Sequence, residues 1–193
     1  LGLFGFGITT VLIGFMNAGF TSVTGSVGVF LSCAIFIGGL AQVLAGVLEF
    51  VRGNTFGFVV FSIYGTFWLT LALAEILPTL SSLSSPSPGA LSLFFLVFTV
   101  FTIAMYLGSL RKPLVLQLLL FFLAISFALL TIGEAVLAWG GSNTVFRISG
   151  YFTFVTGFIA IYLAAAHVNS WPIFDPSKFL KIPSSGALSS TVE

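Results

Sequence analysis

Charged side chains are nearly missing from this chain. None of the first 48 residues is Asp, Glu, Lys or Arg, and only 6% of the 193 residues are charged, whereas 58% are apolar. A soluble domain carries about 25% charged residues. Because so few charges cannot solvate the surface of a folded domain in water, the deficit excludes an ordinary soluble protein.

Three further features of the composition limit the kinds of site and partner that the protein can have. Cys33 is the one cysteine and His167 the one histidine, so the sequence holds neither a pair for an intrachain disulfide nor a Cys/His metal signature. The net charge of +1 provides no basic patch for nucleic acid. We therefore expect no metal, no cofactor and no nucleic-acid partner.

Long continuous apolar runs are what the chain has in abundance. They reach about 20 residues or more, the length that a helix needs to cross about 30 Å of hydrocarbon. A membrane β-barrel would instead show alternating segments of about 10 residues. A spanning helix also satisfies its own backbone hydrogen bonds, which lipid cannot do. The runs predict an all-α integral membrane protein that crosses the cell membrane several times.

Six transmembrane helices follow from these runs and from the turn formers between them. Residues 21–26 are a cluster of turn formers, Asn54 or Thr55 caps the third span, Pro78 ends it, and the Ser/Pro-rich residues 81–89 form a loop. The predicted spans are Gly2–Phe20, Val27–Val51, Phe56–Leu77, Ala90–Leu110, Pro113–Trp139 and Thr144–Val168.

The basic residues predict the orientation of the bundle. If the faces alternate from span to span, one face holds both chain ends and five basic residues, and only Arg147 lies on the other. The five are Arg52, Arg111, Lys112, Lys178 and Lys181. The positive-inside rule then places both termini in the cytoplasm. Residues 1–170 are predicted to be the membrane domain, and residues 171–193 a cytoplasmic tail that is extended or disordered.

Polar side chains inside the second span need a partner or a task, because a charge at the centre of a membrane helix costs about 2.5–3.5 kcal/mol. Gln42 and Glu49 are seven residues apart and share one helix face. Gln42 either lines a polar cavity or forms a hydrogen bond across a packed interface. Glu49 either pairs with Arg52 at the end of the helix or belongs to the polar lining of a pathway.

Two other spans carry stripes that are polar at their ends and apolar in the middle. In the first span the stripe is Phe6, Thr10, Ile13 and Asn17, and in the fifth it is Gln117, Leu120, Ala124, Phe127, Thr131 and Glu134. Two such helices would enclose a narrow dry passage between two polar vestibules. Ordinary helix packing, with each Thr bonded to its own backbone, gives the same pattern.

An intramembrane protease of the rhomboid type is the enzymatic alternative. Ser109 and His167 occupy the fourth and sixth spans, where such an enzyme carries its Ser and His. The segment 107–110 reads Leu-Gly-Ser-Leu and not G-x-S-G, and Ser109 directly precedes the charged turn at the membrane interface. We predict that the protein is not an enzyme.

Residues 1–10, Leu-Gly-Leu-Phe-Gly-Phe-Gly-Ile-Thr-Thr, resemble the signature of the acetate uptake transporter family, also called the succinate–acetate permease or GPR1/FUN34/YaaH family. That signature opens with Asn-Pro-Ala-Pro, and this chain starts just after those four residues. Further motifs similar to the family follow in order along nearly the whole chain. They are residues 36–42, 45–50, 53–57, 64–69, 115–117 and 127–133.

The resemblance implies six helices per protomer, a homohexameric ring in the lipid bilayer, and an acetate pathway through each protomer. It also implies a hydrophobic constriction formed by a Phe on the first helix, a Tyr on the third and a Leu on the fifth. By motif these are Phe6, Tyr64 and Leu123. The first-span stripe selects Phe6 as well, whereas the fifth-span stripe contains Leu120 and not Leu123.

The expected function is passage of acetate and other small monocarboxylates, with succinate as a further candidate substrate. Such acids are almost wholly anionic at pH 7, and conduction requires weak binding at several sites. The residues expected to supply the polar lining are Thr9, Thr10, Gln42, Glu49, Asn54, Thr55 and Gln117. Passage is either channel-like or proton-coupled. Glu49 and Glu134 are the available proton carriers, and neither lies at mid-span, which favours channel-like passage.

The alternative function is a channel for small neutral solutes such as urea, amides or ammonia. Its pore would also be uncharged and lined by aromatic residues. A sensor or scaffold without flux is a third possibility, and the polar-ended stripes argue weakly against it. Competition of labelled acetate by propionate or by urea distinguishes the first two.

Overall fold

The computed structural model describes residues 1–173, and all regular secondary structure within that range is helical. The helices are α1 (Gly2–Ala18), α2 (Val23–Cys33), a π-helical segment (Ala34–Ala41), α3 (Gln42–Val51), α4 (Thr55–Leu80), α5 (Pro88–Gly108), α6 (Leu114–Ala138) and α7 (Thr144–Val168). Since α2, the π segment and α3 follow one another without a break, the described residues form six rods, as predicted. The predicted tail lies outside the described residues, apart from residues 171–173.

Five of the six rods are long and apolar enough to cross a membrane, with lengths of 21–28 residues. The sixth, α1, is also apolar and has 17 residues. Large apolar side chains cover the outer faces of these rods, as Phe36 on the π segment and Val97 on α5 illustrate. The protein is therefore a multi-pass integral membrane protein. The cytoplasmic placement of its termini stays a prediction.

The predictions for the turn after α1 and for the end of α4 are wrong for identifiable reasons. The predicted turn at residues 21–26 is mostly helix, because the Ser22 hydroxyl accepts a hydrogen bond from the Gly25 N–H at 3.3 Å and caps α2. Pro78 does not end α4, which continues to Leu80. A proline this close to the end of a helix removes only one backbone donor, and the Ser81 hydroxyl donates to the Leu77 carbonyl at 2.7 Å.

The predicted cap of α4 is confirmed as Asn54. Its side-chain oxygen accepts a hydrogen bond from the Gly57 N–H at 3.2 Å. At the end of α1, Gly19 takes the left-handed conformation with φ 85°, which glycine adopts without steric cost. The first span thus ends at Ala18, two residues before the predicted Phe20.

Close packing of α1 against α7 depends on small residues in both helices. A Cβ atom on Gly157 of α7 would lie 2.7 Å from the backbone nitrogen of Val11 and 2.6 Å from its Cγ2. Gly14 of α1 meets the backbone of Phe154 in the same way. Small residues at such crossings let membrane helices approach closely and gain dispersion energy. This contact fixes the position of α1, the helix that carries Phe6.

Candidate functional site

Two cavities occupy opposite ends of the bundle and meet near its middle. The first cavity has a volume of about 620 Å³ and lies at the end that holds Leu1, Arg52 and Pro113. The second cavity, of about 220 Å³, lies at the end that holds Glu75 and Glu134. The linings of both cavities share Phe6 and Leu123, so these two side chains stand between them.

The three residues that the resemblance implied for the constriction lie together at this junction. Phe6, Tyr64 and Leu123 are buried inside the bundle, with exposed fractions of 4%, 1% and 4%. The ring centroids of Phe6 and Tyr64 are 5.7 Å apart. Leu120, the residue of the fifth-span stripe, lines only the first cavity, whereas Leu123 lines both. Leu123, and not Leu120, therefore lies where the two cavities meet.

A hydrogen bond and two aromatic neighbours hold the ring of Tyr64 in place. Its hydroxyl lies 2.8 Å from the hydroxyl of Thr102 on α5. Because Thr102 donates its own proton to the carbonyl of Phe98 at 2.7 Å, Tyr64 is the donor in this pair. The ring also packs edge-on against Phe101 at 5.3 Å and stacks with Phe127 at 6.4 Å.

The helices α1, α4 and α6 run in the same direction and form the common wall of both cavities. Their N-terminal ends line the first cavity and their C-terminal ends line the second. In an α-helix, positions 4, 7 and 11 residues apart return to nearly the same face. Beyond the constriction the second-cavity wall follows this spacing on all three helices. The layers are Thr10, Trp68 and Phe127, then Ile13, Leu71 and Leu130, then Asn17, Glu75 and Glu134.

The wall of the first cavity supports the cavity alternative for Gln42. Gln42 is buried and lines this cavity, and its Oε1 has no hydrogen-bond partner within the described residues. Towards the mouth, the Asn54 side-chain amide donates to Oε2 of Glu49 at 2.6 Å. Arg52 Nη1 lies 3.9 Å from Oε1 of the same carboxylate. Glu49 therefore forms the ion pair at the helix end and also lines the first cavity.

Basic groups collect at the mouth of the first cavity. Arg52 and His167 belong to its lining. Lys112 lies nearby, with its Nζ 5.6 Å from the ring centroid of Phe56, another lining residue. A mouth with this charge attracts anions.

The remaining predicted lining residues have structural contacts of their own. The Thr9 hydroxyl donates to the Cys33 carbonyl at 3.4 Å, and Thr9 lines neither cavity. Thr55 is exposed at the start of α4. The Gln117 amide donates to the Lys112 carbonyl at 2.8 Å, which stabilises the turn between α5 and α6. Thr10 lines the second cavity, although its hydroxyl donates to the Phe6 carbonyl at 2.7 Å.

The two residues of the protease alternative are bonded to their own helices. The Ser109 hydroxyl donates to the Tyr106 carbonyl at 2.7 Å. His167 Nδ1 lies 2.7 Å from the Leu163 carbonyl, and since a carbonyl only accepts, this nitrogen carries the proton. Within the described residues no hydrogen bond joins these two side chains.

Sequence reasoning did not single out Glu75, which lies on the same cavity wall as Glu134. A signal for it exists in the sequence. Glu75 follows Tyr64 by eleven residues, just as Asn17 follows Phe6 and Glu134 follows Leu123. Comparing three spans that run in the same direction, position by position, would have found the set.

A model of the GPR1/FUN34/yaaH family matches residues 1–178. The chain belongs to this family. It is 39% identical over 168 residues to the Escherichia coli K12 protein named succinate-acetate/proton symporter SatP, covering 87% of this chain and 86% of that protein. A solved structure, described as that of the bacterial acetate channel SatP, has the same fold with a TM-score of 0.82. It shares 39% sequence identity and is matched over 88% of this chain and 90% of its own.

A fungal member of the family is named for a different solute. The Saccharomyces cerevisiae protein named ammonia transport outward protein 2 is 32% identical over 185 residues, which cover 91% of this chain and 64% of that protein. The family model and the bacterial relative confirm the family resemblance that the sequence motifs indicated. These family members are named as transport proteins and not as enzymes.

Proposed function

We propose that this protein conducts acetate and other small monocarboxylates across the cell membrane, through a pathway inside one protomer. The observation that carries the proposal is the meeting of the two cavities at Phe6 and Leu123. The names of the bacterial relatives, an acetate channel and a succinate-acetate/proton symporter, support the same substrate class. The protein is then a transport protein and not an enzyme.

The first cavity receives an anion that arrives from its own face of the membrane. Arg52 and the nearby Lys112 raise the local concentration of carboxylates. Glu49 offsets part of this charge through its contact with Arg52, so that the mouth attracts anions without holding them tightly. Weak binding is a requirement for conduction. The side chains of Gln42 and Asn54 then replace part of the lost hydration with neutral hydrogen bonds.

The constriction selects for size and excludes water. Phe6, Tyr64 and Leu123 present apolar surface to the methyl end of a short acid, and an apolar narrow point also gates by drying. The remaining members of the predicted set act indirectly in this proposal, since Thr9, Thr55 and Gln117 line neither cavity. A homohexamer in the lipid bilayer, with cytoplasmic termini and with residues 171–193 as a cytoplasmic tail, completes the proposed arrangement.

Ammonia is the second candidate substrate, because one relative is named an ammonia transport protein. The first cavity opposes this alternative, since its basic mouth repels ammonium while attracting carboxylates. Urea and amides would experience neither effect.

The test is uptake of labelled acetate into liposomes that contain the purified protein, with protein-free liposomes as the background. We expect excess unlabelled propionate to compete strongly, and equal concentrations of urea or methylammonium to have no effect. Equal competition by urea would identify a neutral-solute channel. Acetate uptake no faster than in protein-free liposomes would overturn the proposed function.

A further inference from the structure

The second cavity ends in a layer of three polar side chains, Asn17, Glu75 and Glu134, which is called the polar layer below. Each follows a constriction residue of its own helix by eleven residues. Eleven residues of α-helix correspond to about 16 Å of rise and three turns. The polar layer therefore lies on the same wall as the constriction, three turns further from the end of the bundle that holds Leu1.

Glu134 is buried and has no partner inside the described part of the chain. Its exposed fraction is 6%, and among residues 1–173 the one ion pair joins Arg52 and Glu49 at the opposite end. Arg147 on α7, the cation that residues 1–173 place at this end, instead donates to the Ala18 carbonyl at 3.3 and 3.4 Å.

The other elements around the second cavity contribute no further titratable group to its lining. Their side chains are Val27 and Phe30 from α2, Leu91 and Phe95 from α5, and Phe146 and Thr153 from α7. Glu75 and Glu134 line the same small cavity, so their carboxylates repel each other when both are charged. A buried carboxylate without a partner is costly, whereas a carboxyl that holds a proton avoids the cost and becomes an O–H donor.

Between the polar layer and the constriction the wall is mostly apolar. Ile13, Leu71 and Leu130 form the next layer, followed by the layer that contains Phe127 and Trp68. A carboxylate that enters this stretch loses its hydration without a cation to replace it, whereas the neutral acid does not meet that cost. The buried indole N–H of Trp68 has no acceptor among the residues described, and the carbonyl of a neutral acid is a group of the kind that satisfies such a donor.

We propose that Glu134, with Glu75 beside it, is the proton-transfer site that couples one proton to each carboxylate; this rests on the proposed function above. A carboxylate that enters from the face of the polar layer meets the protonated Glu134. The O–H bond of Glu134 breaks and a new O–H bond forms on a carboxylate oxygen of the substrate, so the neutral acid crosses the constriction. Glu134, now anionic, takes a proton from water on the same face. The net movement is one proton with one anion and carries no charge.

The test is whether transport responds to membrane potential. Acetate uptake is measured in liposomes clamped with potassium and valinomycin at zero or at about 100 mV, inside negative, with protein-free liposomes subtracted. Electroneutral uptake by the unmodified protein is expected to be the same at both potentials. If the anion crossed alone, the inside-negative potential of about 100 mV would lower its equilibrium ratio of inside to outside concentration about fiftyfold.

Two variants and two controls complete the design. Glu134→Gln is expected either to abolish uptake or to make it dependent on potential, whereas Glu134→Asp retains potential-independent uptake. Glu49→Gln removes a carboxylate from the opposite cavity and is expected to leave the uptake independent of potential, whatever its rate. Glu75 is exposed to the cavity, so Glu75→Gln tests the same site if Glu134→Gln fails to fold; it is expected to make uptake slower or dependent on potential.

The outcomes separate the two proposals. Acetate uptake that depends on potential in the unmodified protein, or that stays fast and independent of potential in both Gln variants, overturns the role of the polar layer and leaves the acetate pathway standing. Uptake no faster than in protein-free liposomes overturns the pathway itself.

Discussion

The hydroxyl of Tyr64 donates a hydrogen bond to that of Thr102, 2.8 Å away, and so joins α4 to α5 through the interior of the bundle. This bond holds the aromatic ring of Tyr64, a residue that lines the first cavity. Orientation of the constriction thus depends on a residue of α5 that lines neither cavity.

Substitutions of Tyr64 and of Thr102 that remove this hydrogen bond are expected to lower the stability of the protein by different amounts. Tyr64→Phe deletes the donor but leaves the ring, at a cost of about 1 kcal/mol. Thr102→Val leaves the buried Tyr64 hydroxyl without an acceptor, which costs about 1–3 kcal/mol. Thermal unfolding in detergent measures the difference. Tyr64→Ala opens the constriction, so only this third variant is expected to raise propionate and butyrate uptake relative to acetate. A comparable rise in Tyr64→Phe would contradict the role of the ring.

Leu123 and Leu120 provide a matched pair on α6. Leu123→Ala widens the junction between the cavities and is expected to increase uptake of bulkier acids relative to acetate, whereas Leu120→Ala enlarges only the first cavity. Both remove a buried leucine side chain and should cost about 2–5 kcal/mol in stability, so folding effects cancel in the comparison. Equal selectivity in the two variants would remove Leu123 from the constriction.

Arg52 is expected to govern how ionic strength affects uptake. Its guanidinium lines the mouth of the first cavity, and screening shortens the reach of such a charge from about 10 Å at 0.1 M salt to about 3 Å at 1 M. Initial acetate uptake should therefore fall as salt rises, and Arg52→Gln should lower the rate at low salt and flatten this dependence. Glu49→Gln, which frees Arg52 from its carboxylate neighbour, is expected to steepen it. An unchanged salt dependence in Arg52→Gln would show that other charges attract the substrate.

Substitution of Gly157 tests the packing of α1 against α7. Gly157→Ala places a methyl group against the backbone of Val11 and is expected to destabilise the protein by about 1–3 kcal/mol. Gly28→Ala is the matched control, because nothing lies within 4 Å of its Cβ position on α2. There the helix propensity of alanine should add about 0.5–1 kcal/mol of stability. Thermal unfolding of both variants in detergent, monitored by size-exclusion chromatography, measures the difference in stability. Equal stabilities of the two variants would mean that α1 and α7 are not closely packed at Gly157.

The sequence was sufficient to predict the six spans, because lipid requires long apolar helices and little else produces them. Helix ends depend on local bonds that composition does not reveal. The serine-rich segment after α1 reads as a turn, yet one hydroxyl, that of Ser22, is enough to start α2 there. Pro78 reads as a stop, but near the end of α4 its missing N–H matters little.

The candidate site was harder to predict than the fold for a similar reason. Motif resemblance located Phe6, Tyr64 and Leu123, which the structure brings to one junction. Polarity alone does not distinguish a lining residue from a structural one. Gln117 lies on a polar-ended stripe, but its amide is used by a backbone turn. Glu75 lies near the end of its span, and only its alignment with the two parallel helices indicates that it shares a cavity with Glu134.

The equal spacing along α1, α4 and α6 constrains how a pathway of this kind can change over evolutionary time. Side chains at any one level can be exchanged independently, since each helix contributes a single group there. Inserting or deleting one residue in one of the three segments would turn every later group on that segment by about 100°, away from the counterparts it faces. Homologous proteins can therefore change their substrate by substitutions along these helices. A change in length, for example between Tyr64 and Glu75, would instead disrupt the alignment of the cavity wall.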